Sequence, residues 1–148
     1  VWYVLSELSR QVAYKLRQNN FNAGGVQIAV KDTNLTVKQY QTPIKPTHSG
    51  KALAEAGFEL FRKRYDWEKD VRALTIRAIS LLPDSEPIQL DLSYNHNRFV
   101  KIDTLERTID SINERFGKNS VLPARMLTDI KLPARQNKTL LPNSRYDA

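Results

Sequence analysis

The chain has 148 residues, of which 41% are hydrophobic and 26% charged, with a net charge of +7 and no cysteine. That suffices for one domain with a moderate core and excludes disulfides and thiolate metal sites. No apolar run reaches the roughly 18 residues of a membrane span, and no signal-peptide pattern is present. Val1, Val4, Leu5, Leu8, Val12 and Leu16 recur at three- and four-residue spacing, which predicts an amphipathic helix over 1–18 that Asn19 and Asn20 can end. After Gly24 and Gly25, Val26, Ile28 and Val30 alternate with Gln27, Ala29 and Lys31 as in a half-buried strand. Lys31 to Asn34 is turn chemistry, and a second strand is expected from Leu35 to Thr42, closing a hairpin.

Pro43 and Pro46 are expected to end that strand, with Thr47 or Ser49 capping a helix that carries Leu53, Ala56, Leu60 and Phe61 on one face to about Tyr65. Asp70 to Leu82 reads as a long third strand with Leu74, Ile76 and Ala78 on one side. A third helix is expected near Asp103, where Asp103 and Glu106 have capping-box spacing. Its stripe is Ile102, Leu105, Ile109, Ile112 and Phe116, and Gly117 stops it. Three Leu-Pro steps follow, at Leu122, Leu132 and Leu141, which argue for an extended tail over 122–148 behind a domain of 1–121. The chain opens at Val1 directly in a helical pattern, so it is expected to be a piece of a longer protein.

This order gives an α+β layer, an antiparallel-rich sheet with helices packed on one face and the other face open. Residues 118–148 hold six basic and two acidic residues and residues 1–117 hold 17 and 14, so a cationic face in the folded part must come from segregating charge. Strand residues Lys31, Lys38, Arg72 and Arg77 stand against Asp32 alone, and Gln27, Lys31, Thr75 and Arg77 are expected on the open side. Such a face suits phosphate contacts, although a solvated sheet face has the same pattern. Gln89, Leu90, Leu92 and Tyr94 in QLDLSY have the spacing of an extended peptide captured by an apolar pocket, or of a plain edge strand. Arg62, Lys63 and Arg64 complement a helix dipole. His48 and His96 lack neighbouring ligands in sequence, and neither a glycine-rich phosphate loop nor a nucleophile–base pair is visible. No catalytic residue and no metal site are expected.

VAYKLRQNN (12–20), GGVQIAVKDTNL (24–35), VRALTIRAIS (71–80), QLDLSY (89–94) and ERTIDSINERFGKNSV (106–121), in this order, resemble the C-terminal little-finger domain of Y-family translesion DNA polymerases, particularly bacterial UmuC-type proteins and polymerase IV. The resemblance implies a module of an error-prone, SOS-type polymerase that grips the backbone of primer–template DNA in the cytoplasm. It gives DNA-contact roles to Arg72, Arg77 and the second strand around Lys38 to Gln41, with Tyr40 among them, to which the open-face reading adds Lys31 and Thr75. It gives a sliding-clamp-binding role to Gln89, Leu90, Leu92 and Tyr94. It also implies no cofactor in this segment, magnesium belonging to the parent's catalytic part. The family's domain opens with a strand that this chain lacks. The sheet is therefore expected to close up, to borrow residues 119–130, or to self-associate through an unpaired edge. The competing expectation is a ribosome- or RNA-associated α+β protein, with QLDLSY an ordinary strand.

Overall fold

A computed structural model of the protein describes residues 1–85, 96–117 and 120–124. Its elements are α1 (Trp2–Gln18), β1 (Phe21–Asp32), β2 (Val37–Thr47), α2 (Gly50–Arg64), β3 (Val71–Pro83) and α3 (His96–Phe116). β1 lies between β2 and β3, antiparallel to both. Its alternating residues Val26, Ile28 and Val30 are at most 1% exposed, because α1 covers β1 with β3 and α2 covers β1 with β2. The result is the expected α+β layer, with helices against one side of an antiparallel sheet.

Each helix buries one stripe. On α1 the buried positions are Leu5, Ser9, Ala13, Leu16 and Arg17, and Asn20 turns the chain with a φ of 55°, a conformation asparagine tolerates. On α2 they are Gly50, Leu53, Ala54, Gly57, Leu60 and Phe61. A Cβ at Gly57 would lie 3.0 Å from Ile76 Cδ1, so the missing side chain is what lets α2 settle this closely on the sheet.

Several boundaries differ from the sequence reading: β1 already begins at Phe21, ahead of Gly24 and Gly25, and β2 begins at Val37. β2 runs on to Thr47 through both prolines, since it is an edge strand whose outward groups need no ladder partner. The pairing shifts there, from Gly25 opposite Pro43 to Ala23 opposite Thr47, and 44–46 absorb the irregularity. The third helix starts at His96, so Asp103 lies inside it and is no cap. The expected stripe of α3 is also only partly inward. Ile102, Ile109 and Ile112 are half-buried, whereas Leu105 and Phe116 are 59% and 67% exposed. The cause is that α3 turns a polar side, not an apolar one, to the rest of the molecule.

Among the described residues no fourth strand joins the sheet, which leaves β2 and β3 as its edges, and 120–124 form no strand. Residues 125–148, most of the expected tail, lie outside the described residues.

Candidate nucleic-acid interface

The side of the sheet away from the helices is set by strand parity. With Val26, Ile28 and Val30 inward, the outward rows are Gln41–Gln27–Arg77, Gln39–Ala29–Thr75 and Val37–Lys31–Ala73 across the three strands. Arg77 Nη1 donates to Gln27 Oε1 at 3.3 Å, and Gln27 Nε2 donates to Gln39 Oε1 at 3.3 Å, an amide relay across the whole sheet. The exposed guanidinium sits at one corner of this relay.

Arg72 reaches the same side by a different route. The β1–β3 pairing shifts between Lys31 opposite Ala73 and Asp32 opposite Val71, so Arg72 is the extra residue of a bulge. Val71 and Leu74 both pack against the core, and the two residues between them, Arg72 and Ala73, are both exposed. A bulge can re-aim a side chain in this way. The only carboxylate in the three strands, Asp32, is 4% exposed and accepts the Thr36 N–H at 2.9 Å. The outward face is therefore built of cations, amides, hydroxyl and small apolar groups without an acid.

Of the residues singled out from sequence, Lys31, Gln41, Arg72, Thr75 and Arg77 lie on this face. Lys38 and Tyr40 do not. They sit opposite Val30 and Ile28 and share the helix side, where Tyr40 packs against the core cluster. The Lys38 ammonium donates to Asp66 Oδ2 at 3.0 Å. That hydrogen bond raises the Lys38 pKa and lowers that of Asp66, each partner favouring the other's charged form. Gln39, uncharged and inside the stretch from Lys38 to Gln41, also lies on this face, its alternation with Lys38 and Tyr40 setting its side. The sequence reading does not single out exposed Lys45, which lies beyond the expected strand end. Gln89, Leu90, Leu92 and Tyr94 lie outside the described residues.

A second polar system fixes α3. Arg17, with a side chain only 5% exposed, donates from Nε to Asp110 at 2.7 Å, from Nη1 to Glu106, and from Nη1 to the His48 carbonyl at 2.9 Å. Glu106 also accepts from Ser49 Oγ at 2.8 Å and from the Gly50 N–H at 3.4 Å, placing a carboxylate at the N-terminus of α2 where the dipole favours it. The buried His48 ring meets Asp103 at 2.7 Å. Burial opposes ionisation of Asp103, but hydrogen bonds from His48 and Arg107 outweigh it and hold its pKa below the usual carboxylate value. A depressed carboxylate contributes stability that is complete above its unfolded pKa, about 3.9, and lost only as pH falls through the lower folded value. Glu114 completes the row, accepting from Tyr14 at 2.8 Å and Gln18 at 2.6 Å. Asp103, Glu106, Asp110 and Glu114 are the polar side that α3 turns inward.

The impB/mucB/samB family C-terminal domain matches residues 1–92, from α1 through β3. The chain is similar to the DNA polymerase IV of Acetivibrio thermocellus, 33% identical over 128 residues that make up 86% of this chain and 31% of the relative. It is also similar to those of Clostridium kluyveri, 29% identical over 80% of this chain and 31% of the relative, and Treponema denticola, 24% identical over 84% and 31%. The chain thus spans about a third of the length of these curated relatives. Together with the three-stranded sheet open on one side, these matches show that the chain belongs to the impB/mucB/samB family, as a C-terminal domain of the Y-family DNA polymerase type.

Proposed function

We propose that this domain holds primer–template DNA for an error-prone translesion polymerase, with the open side of the sheet against the sugar–phosphate backbone. The observation that carries this reading is that, among the described residues, the outward strand positions hold Lys31, Arg72 and Arg77 with Gln27, Gln39, Gln41 and Thr75 and no carboxylate. Lysine and arginine contacts to phosphate displace counterions and fix position without reading sequence. A translesion enzyme needs that kind of hold, because the template base is damaged.

The segment Gln89 to Tyr94 acts in this reading as a tether to a bacterial sliding clamp, with Gln89 at the pocket rim and Leu90, Leu92 and Tyr94 in an apolar cleft. The polymerisation chemistry and its magnesium belong to the parent protein. Among the described residues no group of three His, Asp or Glu side chains is arranged to hold a metal ion. The edges of β2 and β3 offer the route for self-association.

Two measurements test the reading. A labelled primer–template bound to the domain is displaced by unlabelled primer–template and not by structured RNA of equal length, whereas preferential displacement by RNA would favour an RNA-associated protein. The double change Gln89→Ala and Leu92→Ala abolishes pull-down of the bacterial sliding clamp and leaves DNA affinity unaltered. Retained clamp capture would remove the tether.

A further inference from the structure

The loop between α2 and β3 contains an exposed tryptophan that the grip described above does not use. Trp67 is 60% exposed and has a φ of 58°, a left-handed conformation that a bulky residue adopts only where its surroundings impose it. Here they do. Its ring packs at steep angles on Phe61 (centroids 5.3 Å, 88°) and Tyr65 (5.7 Å, 78°). Those two rings stack on each other at 5.1 Å, and Tyr65 is anchored by its hydroxyl donating to the Lys69 carbonyl at 2.7 Å. The indole is therefore held rigid and presented to solvent.

The neighbouring hairpin repeats the pattern. Leu35 has a φ of 66° and is 54% exposed, Val37 is 50% exposed, and the Thr33 N–H donates to the Asp70 carbonyl at 3.1 Å, tying the two loops together. Val37 belongs to the last row of the open face, opposite Lys31, and Arg72 follows on the next strand. Residues 62–72 carry five basic and three acidic side chains; Asp66 is engaged by Lys38, Lys63 pairs with Glu59 and Lys69 with Asp32, while Arg72 stands exposed at the bulge. A rigid exposed aromatic in a loop tied to the hairpin at the end of the sheet that carries Lys31 and Arg72 has the chemistry of a stacking site for single-stranded nucleic acid.

We propose that Trp67 is a stacking platform for an unpaired base of the strand that leaves the duplex at this end of the sheet. The proposal rests on the DNA-holding reading, but it adds a contact to single-stranded template that the open face does not supply. Because every base has a π-face, the site is tolerant of sequence, which suits a template carrying altered bases.

The chain has two tryptophans, so a Trp2→Phe variant of the full 148 residues makes Trp67 the sole indole emitter. A duplex with a single-stranded 5′ overhang is expected to quench this emission, while a blunt duplex of equal nucleotide count does not. Trp67→Ala is expected to weaken overhang binding about fivefold or more with blunt-duplex affinity unchanged, and Trp67→Phe to retain most of the overhang affinity. Unmoved emission and equal overhang affinity in Trp67→Ala, with blunt duplex still bound, would overturn the platform and leave the open-face grip standing. Quenching by the overhang without any blunt-duplex binding would keep the platform and remove the grip. Failure to bind either DNA, or capture of Trp67 by a protein ligand alone, overturns the platform.

Discussion

Replacing Arg17 with alanine is expected to cost about 3 kcal/mol of folding stability, seen as a lower urea midpoint, and to release α3 from the domain. Removing one partner of a buried ion pair is expensive because the charge left behind has neither water nor counter-charge. Here the loss strands Glu106 and Asp110, whose side chains are each only 18% exposed, and frees the His48 carbonyl. It also loosens Glu106 from the N-terminus of α2, so two elements are affected by one substitution. Arg17→Lys should recover only part of the loss, since an ammonium cannot span two carboxylates and a carbonyl with a planar fork. Hydrogen exchange along α3 is the specific readout. Fast exchange there with protection kept in β1 is the expected pattern, and a midpoint change within about 0.5 kcal/mol of wild type, the range of an ordinary surface substitution, would contradict it.

Phe61→Ala is expected to destabilise the domain by about 3–5 kcal/mol. Phe61 is 1% exposed, sits between α2 and the sheet, and carries both Tyr65 and Trp67 against its ring. Truncation removes its burial, leaves a cavity that the surrounding strands can only partly close, and lets the α2–β3 loop move. Equilibrium denaturation checks the size, and a loss below about 1 kcal/mol would mean that the site collapses without strain. In that case the rigidity assigned to Trp67 would also be in doubt.

Much of the layer was legible because its signals are local. The alternation at Val26, Ile28 and Val30 and the spacing of Leu53, Leu60 and Phe61 each report a face directly, and parity then carried Gln27, Lys31, Thr75 and Arg77 to the opposite side. Parity applied to β2 would have assigned Lys38 and Tyr40 to the helix side. The resemblance attached to residue type and position could not, because a DNA-contact role by analogy says nothing of which way a strand residue points. Arg72 escaped the same rule through a bulge, which a sequence does not announce.

The docking of α3 was illegible for another reason. Arg17 meets Asp110 and Glu106 across 93 and 89 residues of sequence, and His48 meets Asp103 across 55. Asp103 and Glu106 fit a capping box by spacing alone. Their carboxylates are instead committed to His48, Arg107 and Arg17, with Ser49 at the start of α2, and the helix begins a full two turns earlier. A local pattern was satisfied by long-range partners.

The salt dependence of duplex binding by the wild-type chain and by the Arg72→Ala, Arg77→Ala double variant tests the central claim most directly. Each arginine that neutralises a phosphate contributes about 0.9 to the slope of log Kobs against log salt, so the double variant should bind with a slope shallower by about two, equally across sequences, with an unchanged circular dichroism spectrum. Parallel slopes for the two proteins would mean that neither guanidinium touches the backbone, and the open side of the sheet would not be where this domain holds DNA.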